Sequence, residues 1–267
     1  MPVFRHTLAV WALVSVAAYA EPNVLDFAAG GFQAGSLDGQ ESWMVRGQAP
    51  SNANFVFTPG FGVSVAPNTA GNHASTYAFL NDKSSPIGRD TFDVGMPIST
   101  SVNLVLKQSP GPKKGAIVGL GWGLFVPVGP NCLPFFLELA RDSAAGGYRL
   151  RLAKSSEKTK VEGETILIIP EAALGFGEGD AESDPLQLSF TVTNEGSKSD
   201  WSSVGMLTNL ATNKVFVLKN VIAAPEVYKT DDFIRAIINP RRGGEDGLTS
   251  VVITKLDADV TPDPTAQ

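Results

Sequence analysis

The chain has 267 residues, including 27 glycines, 18 prolines, one cysteine and two histidines, and its formal net charge is −6 at pH 7. One cysteine excludes an intrachain disulfide and a cysteine-based zinc cluster, and so few histidines exclude a multi-histidine metal site. The negative charge argues against general nucleic-acid binding. An apolar content of 43% with 18% charged residues excludes a wholly disordered chain.

The first twenty residues have the features of a secretory signal peptide. Arg5 and His6 form a short basic start, residues 8–18 are apolar, and residues 18–20 match the small-x-small cleavage pattern. The apolar stretch is about a dozen residues long, whereas a membrane-spanning helix needs ~20. We therefore predict cleavage before Glu21 and a secreted or periplasmic bacterial protein without a membrane span. An uncleaved membrane anchor is the alternative.

Most of the mature chain consists of short segments with the alternating pattern of half-buried strands. In one of them, Leu186, Leu188, Phe190 and Val192 share a face. Similar segments are 54–58, 62–66, 101–107, 135–139, 148–153, 214–219 and 249–255. Helical signals are limited to single turns at 170–174 and 231–236, which are too short for a parallel crossover. The pattern predicts an all-β, two-sheet antiparallel sandwich, with one domain over residues 21–259 and a flexible tail at 260–267.

The mature start carries a motif. Residues 24–27 form a short strand pattern, and the loop Gly35-Ser-Leu-Asp-Gly-Gln-Glu-Ser-Trp43 follows. This opening resembles that of exported bacterial proteins with a concanavalin A-like, laminin-G-like jelly roll, where a Gly-Ser-Leu-Asn-Gly-Gln-x-x-Trp loop is common; here Asp38 replaces the asparagine. Residues 247–256 stand where that architecture places its last strand, beside the first. The resemblance implies a jelly roll but no particular activity, because this fold hosts lectins, glycosidases, lyases and adhesive modules.

An acidic cluster at 177–184 is the candidate metal site. Asp180, Glu182 and Asp184 alternate in a glycine-rich stretch that ends at Pro185, which predicts a loop. Carboxylates in irregular loops suit calcium, so calcium is the candidate cofactor. The spacing does not match an EF-hand, and a solvated acidic turn is the alternative.

No catalytic constellation is complete in the sequence. Jelly-roll glucanases usually carry their carboxylates as Glu-x-Asp-x-x-Glu on one strand, and this pattern is absent. A Ser-His-Asp triad could use only His73, and the sequence has no Gly-x-Ser-x-Gly nucleophile elbow to supply the serine. Tyr148 faces away from Arg149 and Arg151, so these possible lyase residues cannot converge from their own strand. The sequence therefore favours a non-catalytic protein without excluding an enzyme.

Three aromatic residues are the candidate ligand contacts. Trp201 follows a polar turn and is expected to be exposed, and Tyr148 is the aromatic residue of the arginine-rich strand. Trp122 lies on a long central strand, where it either packs in the core or offers a flat platform for a sugar ring. Trp43 is expected to pack as a lid on the sandwich.

The sequence thus predicts an exported non-catalytic module that binds a polysaccharide or a cell-surface glycan. Two alternatives stay open: a structural matrix protein without a small ligand, and a polysaccharide-degrading enzyme with a non-standard site. Basic residues are scattered over loops, so nucleic acid is not an expected partner.

Overall fold

The computed structural model describes residues 23–27, 31–40, 43–46, 55–65, 77–80, 95, 97–108, 117–128, 131–142, 145–154, 166–177, 181–195, 200–223, 235–240 and 248–258. The predicted signal peptide (1–20), the predicted tail (260–267), His73 and Asp180 lie outside these residues. Their predicted roles stay predictions.

Sixteen strands lie within the described ranges. In chain order they are β1 (Asn23–Asp26), β2 (Gly35–Ser36), β3 (Trp43–Arg46), β4 (Phe55–Thr58), β5 (Gly62–Val65), β6 (Tyr77–Leu80), β7 (Pro97–Gln108), β8 (Ile117–Val128), β9 (Asn131–Asp142), β10 (Gly147–Lys154), β11 (Ile166–Pro170), β12 (Leu186–Asn194), β13 (Asp200–Asn209), β14 (Lys214–Ala223), β15 (Arg235–Pro240) and β16 (Leu248–Ala258). A 3-10 turn, Glu171–Leu174, follows β11. No helix in the described part of the chain is long and apolar enough to cross a membrane.

The strands form two antiparallel sheets, which confirms the predicted sandwich. The nine-stranded sheet has the order β14-β13-β12-β7-β16-β5-β4-β2, and β1 also pairs with β16. The seven-stranded sheet has the order β11-β10-β9-β8-β15-β6-β3. In the β1–β16 pair Leu25 aligns with Leu256, so the last strand lies beside the first, as the resemblance implied.

Strand β12 shows how alternation builds the core. Leu186, Leu188, Phe190 and Val192 are buried, and the residues between them are partly exposed. Because successive side chains of a strand point to opposite faces, one face joins the core and the other faces outward. The long strand predicted around Trp122 is β8, which lies in the middle of its sheet.

The two sheets meet closely at Gly205 of β13. A Cβ atom at this position would collide with the side chain of Leu137 on β9 and press on Leu152 of β10. A glycine therefore lets two buried leucines of the facing sheet fill the space between the layers.

The opening loop closes over the edge of the core. Trp43 is fully buried, which agrees with its predicted packing role. Asp38 Oδ1 accepts a hydrogen bond from the Val45 backbone N–H at 2.8 Å, and the Gln40 side chain donates to the Gln33 carbonyl at 2.9 Å. Asp38 therefore supplies a hydrogen-bond acceptor at the position where the similar motif has asparagine.

One of the two predicted helical turns is confirmed. Residues 171–174 form a 3-10 turn, with Pro170 as its N-cap and Gly175 in a left-handed conformation at its end. The helical turn predicted at 231–236 is wrong for the two of its residues that the structure describes, because Arg235 and Ala236 begin β15. Pairing of β15 with β8, which aligns Ile238 with Trp122, overrides the weak capping signal.

Candidate functional site

A pocket of about 350 Å³ lies on the outer face of the nine-stranded sheet. Its lining residues come from four strands, one hairpin turn and the acidic loop: Thr58, Phe61, Gly62, Ser64, Val105, Lys107, Glu182, Val252 and Thr254. The volume falls in the usual range for small-molecule sites. The lining combines one aromatic ring, three hydroxyls and two opposite charges.

The β4–β5 hairpin holds Phe61 at the rim of the pocket. Phe61 N–H donates to the Thr58 carbonyl at 3.0 Å, and Gly60 between them has a φ of 79°. Pro59 and Gly60 thus take the central positions of a type II turn, which requires a positive φ at its second central residue. Phe61 is 71% exposed, because a tight turn projects it away from the core.

Gly62 fixes the position of this hairpin. Its φ is 106°, and a Cβ atom there would overlap the carbonyl oxygen of Ile253 on β16. Only glycine allows this close approach of two backbones. The start of β5 therefore lies directly against β16, and Phe61 is held one residue away from that contact.

The opposite side of the pocket is an ion pair. Lys107 Nζ lies 2.7 Å from Glu182 Oε1, and the two side chains are 39% and 57% exposed. Backbone hydrogen bonds hold the acidic segment along the end of β7: Gln108 N–H donates to the Ala181 carbonyl, and Ser183 N–H donates to the Leu106 carbonyl. The segment is thus paired with the end of β7, which sets Glu182 beside Lys107.

The structure buries two of the three predicted aromatic contacts. Trp201 is only 4% exposed, so its expected exposure is wrong. It is the second residue of β13, and the alternation of that strand places it on the same inward face as Ser203 and Leu207. The polar turn before the strand does not decide the direction of the side chain.

Tyr148 is a core residue. Its ring is fully buried and stacks on Phe176 at a centroid distance of 5.7 Å, and its hydroxyl donates to Gln108 Oε1 at 3.1 Å. Burial raises the pKa of this phenol well above its ordinary value, an effect that the Arg141 charge offsets in part. Tyr148 faces away from Arg149 and Arg151, as predicted, and offers no exposed surface to a ligand.

For Trp122 the described structure gives only the backbone. It lies in β8 opposite Leu137 of β9 and Ile238 of β15. Its side chain is outside the described part, so its stacking role stays a prediction.

The acidic loop does not bring its described carboxylates together. Glu182 pairs with Lys107, whereas Asp184 Oδ2 accepts a hydrogen bond from Asn209 Nδ2 at 2.9 Å. Among the described residues, which omit Asp180, no group of three or more histidine, cysteine or acidic side chains could hold a metal ion. The solvated-turn interpretation fits Glu182, and Asp184 instead ties the loop to β13. Calcium binding by this loop stays a prediction.

Sequence reasoning missed Phe61 and Lys107. The signal for Phe61 was present, since an aromatic residue directly after a Pro-Gly turn stands where a hairpin bends away from the core. Lys107 carried no local signal. Its role depends on Glu182, which is 75 residues further along the chain.

A second charged cluster lies on the seven-stranded sheet. Glu138 accepts hydrogen bonds from Arg149 at 3.3 Å and from Arg151 at 2.8 Å, and its side chain is 1% exposed. In the same sheet, Arg141 Nε donates to Glu171 at 2.9 Å. Both arrangements neutralise buried charges, which makes them structural ion pairs.

The fold class is a concanavalin A-like jelly-roll sandwich. The sequence matches no protein-family model and no curated protein. Among solved structures, the chain is similar to the winged bean acidic lectin complexed with methyl-α-D-galactose, at 8% identity over 90% of this chain and 100% of that one, with a TM-score of 0.52.

Two further solved structures show the same likeness. A basic winged bean lectin with Tn-antigen has 9% identity over 90% of this chain and 99% of that one, with a TM-score of 0.52. An endo-1,3-beta-glucanase from Streptomyces sioyaensis has 10% identity over 91% and 98%, with a TM-score of 0.51. At these identities the likeness establishes the fold alone.

Proposed function

We propose that this protein is an exported, non-catalytic module that binds carbohydrate in the pocket beside Phe61. The observation that carries the proposal is the combination of an exposed aromatic ring with hydroxyls and an ion pair around one pocket. The flat face of an aromatic ring suits the apolar face of a sugar. The hydroxyls of Thr58, Ser64 and Thr254 can donate to and accept from sugar hydroxyls.

The chemistry of the pocket favours binding over hydrolysis. Glycoside hydrolysis normally needs two carboxyl groups on either side of the scissile bond. Of the described lining residues, only Glu182 carries a carboxyl, and Lys107 engages it. The two lectin neighbours are complexes with methyl-α-D-galactose and with Tn-antigen, which supports a carbohydrate ligand, and the glucanase neighbour makes β-1,3-glucan a reasonable first probe.

Phe61→Ala tests the proposal. We expect the affinity for a binding polysaccharide to fall at least tenfold, about 1.4 kcal/mol. The melting temperature should change little, because Phe61 is exposed. The measurement is calorimetric titration with soluble β-1,3-glucan, galactan and xylan, with and without calcium.

Val217→Ala is the matched control. Val217 is another exposed apolar side chain of the same sheet, and it does not line the pocket. If the unmodified protein, Phe61→Ala and Val217→Ala bind with equal affinity, or if none binds any polysaccharide, the pocket is removed from the proposal. Release of reducing ends from the bound polymer would overturn the non-catalytic part.

Export is proposed from the first twenty residues. We expect the protein isolated from an exporting bacterial host to begin at Glu21, and N-terminal sequencing measures this directly. Retention of Met1 in a membrane fraction would favour the uncleaved anchor instead.

A further inference from the structure

We infer that the pocket continues along β7 and β12 as an uncharged polar strip, and that a linear neutral polysaccharide binds along it. The inference rests on the proposed function and specifies its ligand class. The polar strip consists of the outward residues of the two strands: Ser99, Ser101, Asn103, Gln187, Ser189 and Thr191.

The pocket and the polar strip are continuous on one strand. Val105 and Lys107 line the pocket, and Asn103, Ser101 and Ser99 are the next outward residues of β7. At about 3.4 Å per residue, the distance from Lys107 to Ser99 is about 27 Å, which accommodates several sugar rings. Phe61 stands at one end of this path.

The strip is organised across the two strands. Asn103 registers opposite Gln187, Ser101 opposite Ser189, and Ser99 opposite Thr191. The Gln187 side chain donates to Asn103 Oδ1 at 3.0 Å, and the hydroxyls of Ser99 and Thr191 are 2.8 Å apart. The side chains of the strip thus bond to one another across the strand pair and form one continuous polar surface, which suits a polymer.

Charge is scarce on this surface. The structure describes fourteen outward positions on β7, β12 and β13, and Lys107 in the pocket is the only charged residue among them: Pro97, Ser99, Ser101, Asn103, Val105, Lys107, Gln187, Ser189, Thr191, Thr193, Ser202, Val204, Met206 and Thr208. With an ordinary surface share of 25–35% charged residues, about four would be expected.

Charge matching therefore selects the ligand. An anionic polymer would find no cationic side chain among the six positions of the polar strip, and the Lys107–Glu182 pair adds no net charge to the pocket. Hydroxyls and amides offer both donors and acceptors to sugar hydroxyls without the cost of desolvating an ion. A linear neutral glycan fits these properties.

The test measures affinity against chain length. Linear β-1,3-gluco-oligosaccharides of two, four, six and eight units are titrated into the full protein by calorimetry. We expect at least a tenfold gain in affinity between two and six units. Ser189→Arg places a large charged side chain in the centre of the strip and should abolish that gain without changing disaccharide binding.

Leu210→Arg is the control variant, because Leu210 is exposed in the β13–β14 turn and outside the polar strip. It should keep the length dependence, and thermal melts verify that both variants fold. Equal affinity for two and eight units, or tighter binding of polygalacturonate, overturns the polar strip and leaves the pocket intact. If Phe61→Ala also has no effect on any probe, the proposed function fails as well.

Discussion

Two carboxylates of this protein, Glu138 and Glu182, form ion pairs with basic side chains, and these ion pairs differ in how deeply they are buried. Glu138 is 1% exposed and lies between two arginines, whereas Glu182 is 57% exposed and meets one lysine. A buried charge cannot lose its partner without a large penalty, whereas water replaces an exposed partner at little cost. The Glu138 ion pairs are therefore structural, whereas the Lys107–Glu182 pair can be broken at little cost.

Removal of Glu138 should produce the largest effect. We expect Glu138→Ala to lower the free energy of unfolding by about 3–5 kcal/mol, because two partly buried arginines lose their counter-charge. Glu182→Ala should cost less than about 1 kcal/mol. Urea denaturation of both variants measures the contrast.

A triple variant sharpens this result. Replacement of Glu138, Arg149 and Arg151 together by methionine removes all three charges at similar volume, and most of the lost stability should return. If Glu138→Ala and Glu182→Ala cost the same, burial does not distinguish the two pairs.

An intermediate effect is expected at Tyr148. Its folded pKa is raised above the ordinary value of 10. Above pH 10 the unfolded chain releases this proton while the folded chain keeps it, so the folded state loses stability as the pH rises. Tyr148→Phe cannot titrate, and it should cost about 1–3 kcal/mol at pH 7 because Gln108 Oε1 loses its donor.

The difference in unfolding free energy between the unmodified protein and Tyr148→Phe should therefore shrink between pH 9.5 and 11.5. Denaturant titrations across that range measure it, and contributions from the other tyrosines cancel in the difference. A difference that stays constant would show that the phenol titrates normally in the folded state.

The smallest effect is the coupling within the exposed pair. A double-mutant cycle with Lys107→Met and Glu182→Gln should give a coupling of at most about 1 kcal/mol. The coupling should fall further in 1 M NaCl, where the screening length is about 3 Å. A coupling above 2 kcal/mol that survives salt would mean that this pair is as structural as the buried one.

Much of the fold follows from local pattern. The alternation in 186–193 and 101–107 predicted both the strands and their buried faces, because half-buried strands leave a two-residue period. Strand partners leave no such trace. The β7–β12 pair joins residues 84 apart at Asn103 and Gln187, and only their packing in three dimensions selects it.

The candidate site was harder to predict for the same reason. Trp201 was judged from the polar turn before it, although the register of β13 decides its direction. Glu182 was judged by its acidic neighbours along the chain, although its partner, Lys107, comes from a distant strand. A contact between side chains from two distant parts of the chain cannot be predicted from the sequence of either part alone.

The position of β16 has a consequence for the order in which the molecule is built. This strand lies between β7 and β5, supplies Val252 and Thr254 to the pocket, and also pairs with β1 at the other end of the chain. A ribosome must finish residues 248–258 before any of these pairings can form. Contacts so distant in sequence make folding slow. The proposed binding surface should therefore be among the last parts of the protein to fold, well after synthesis of the segment that contains Phe61.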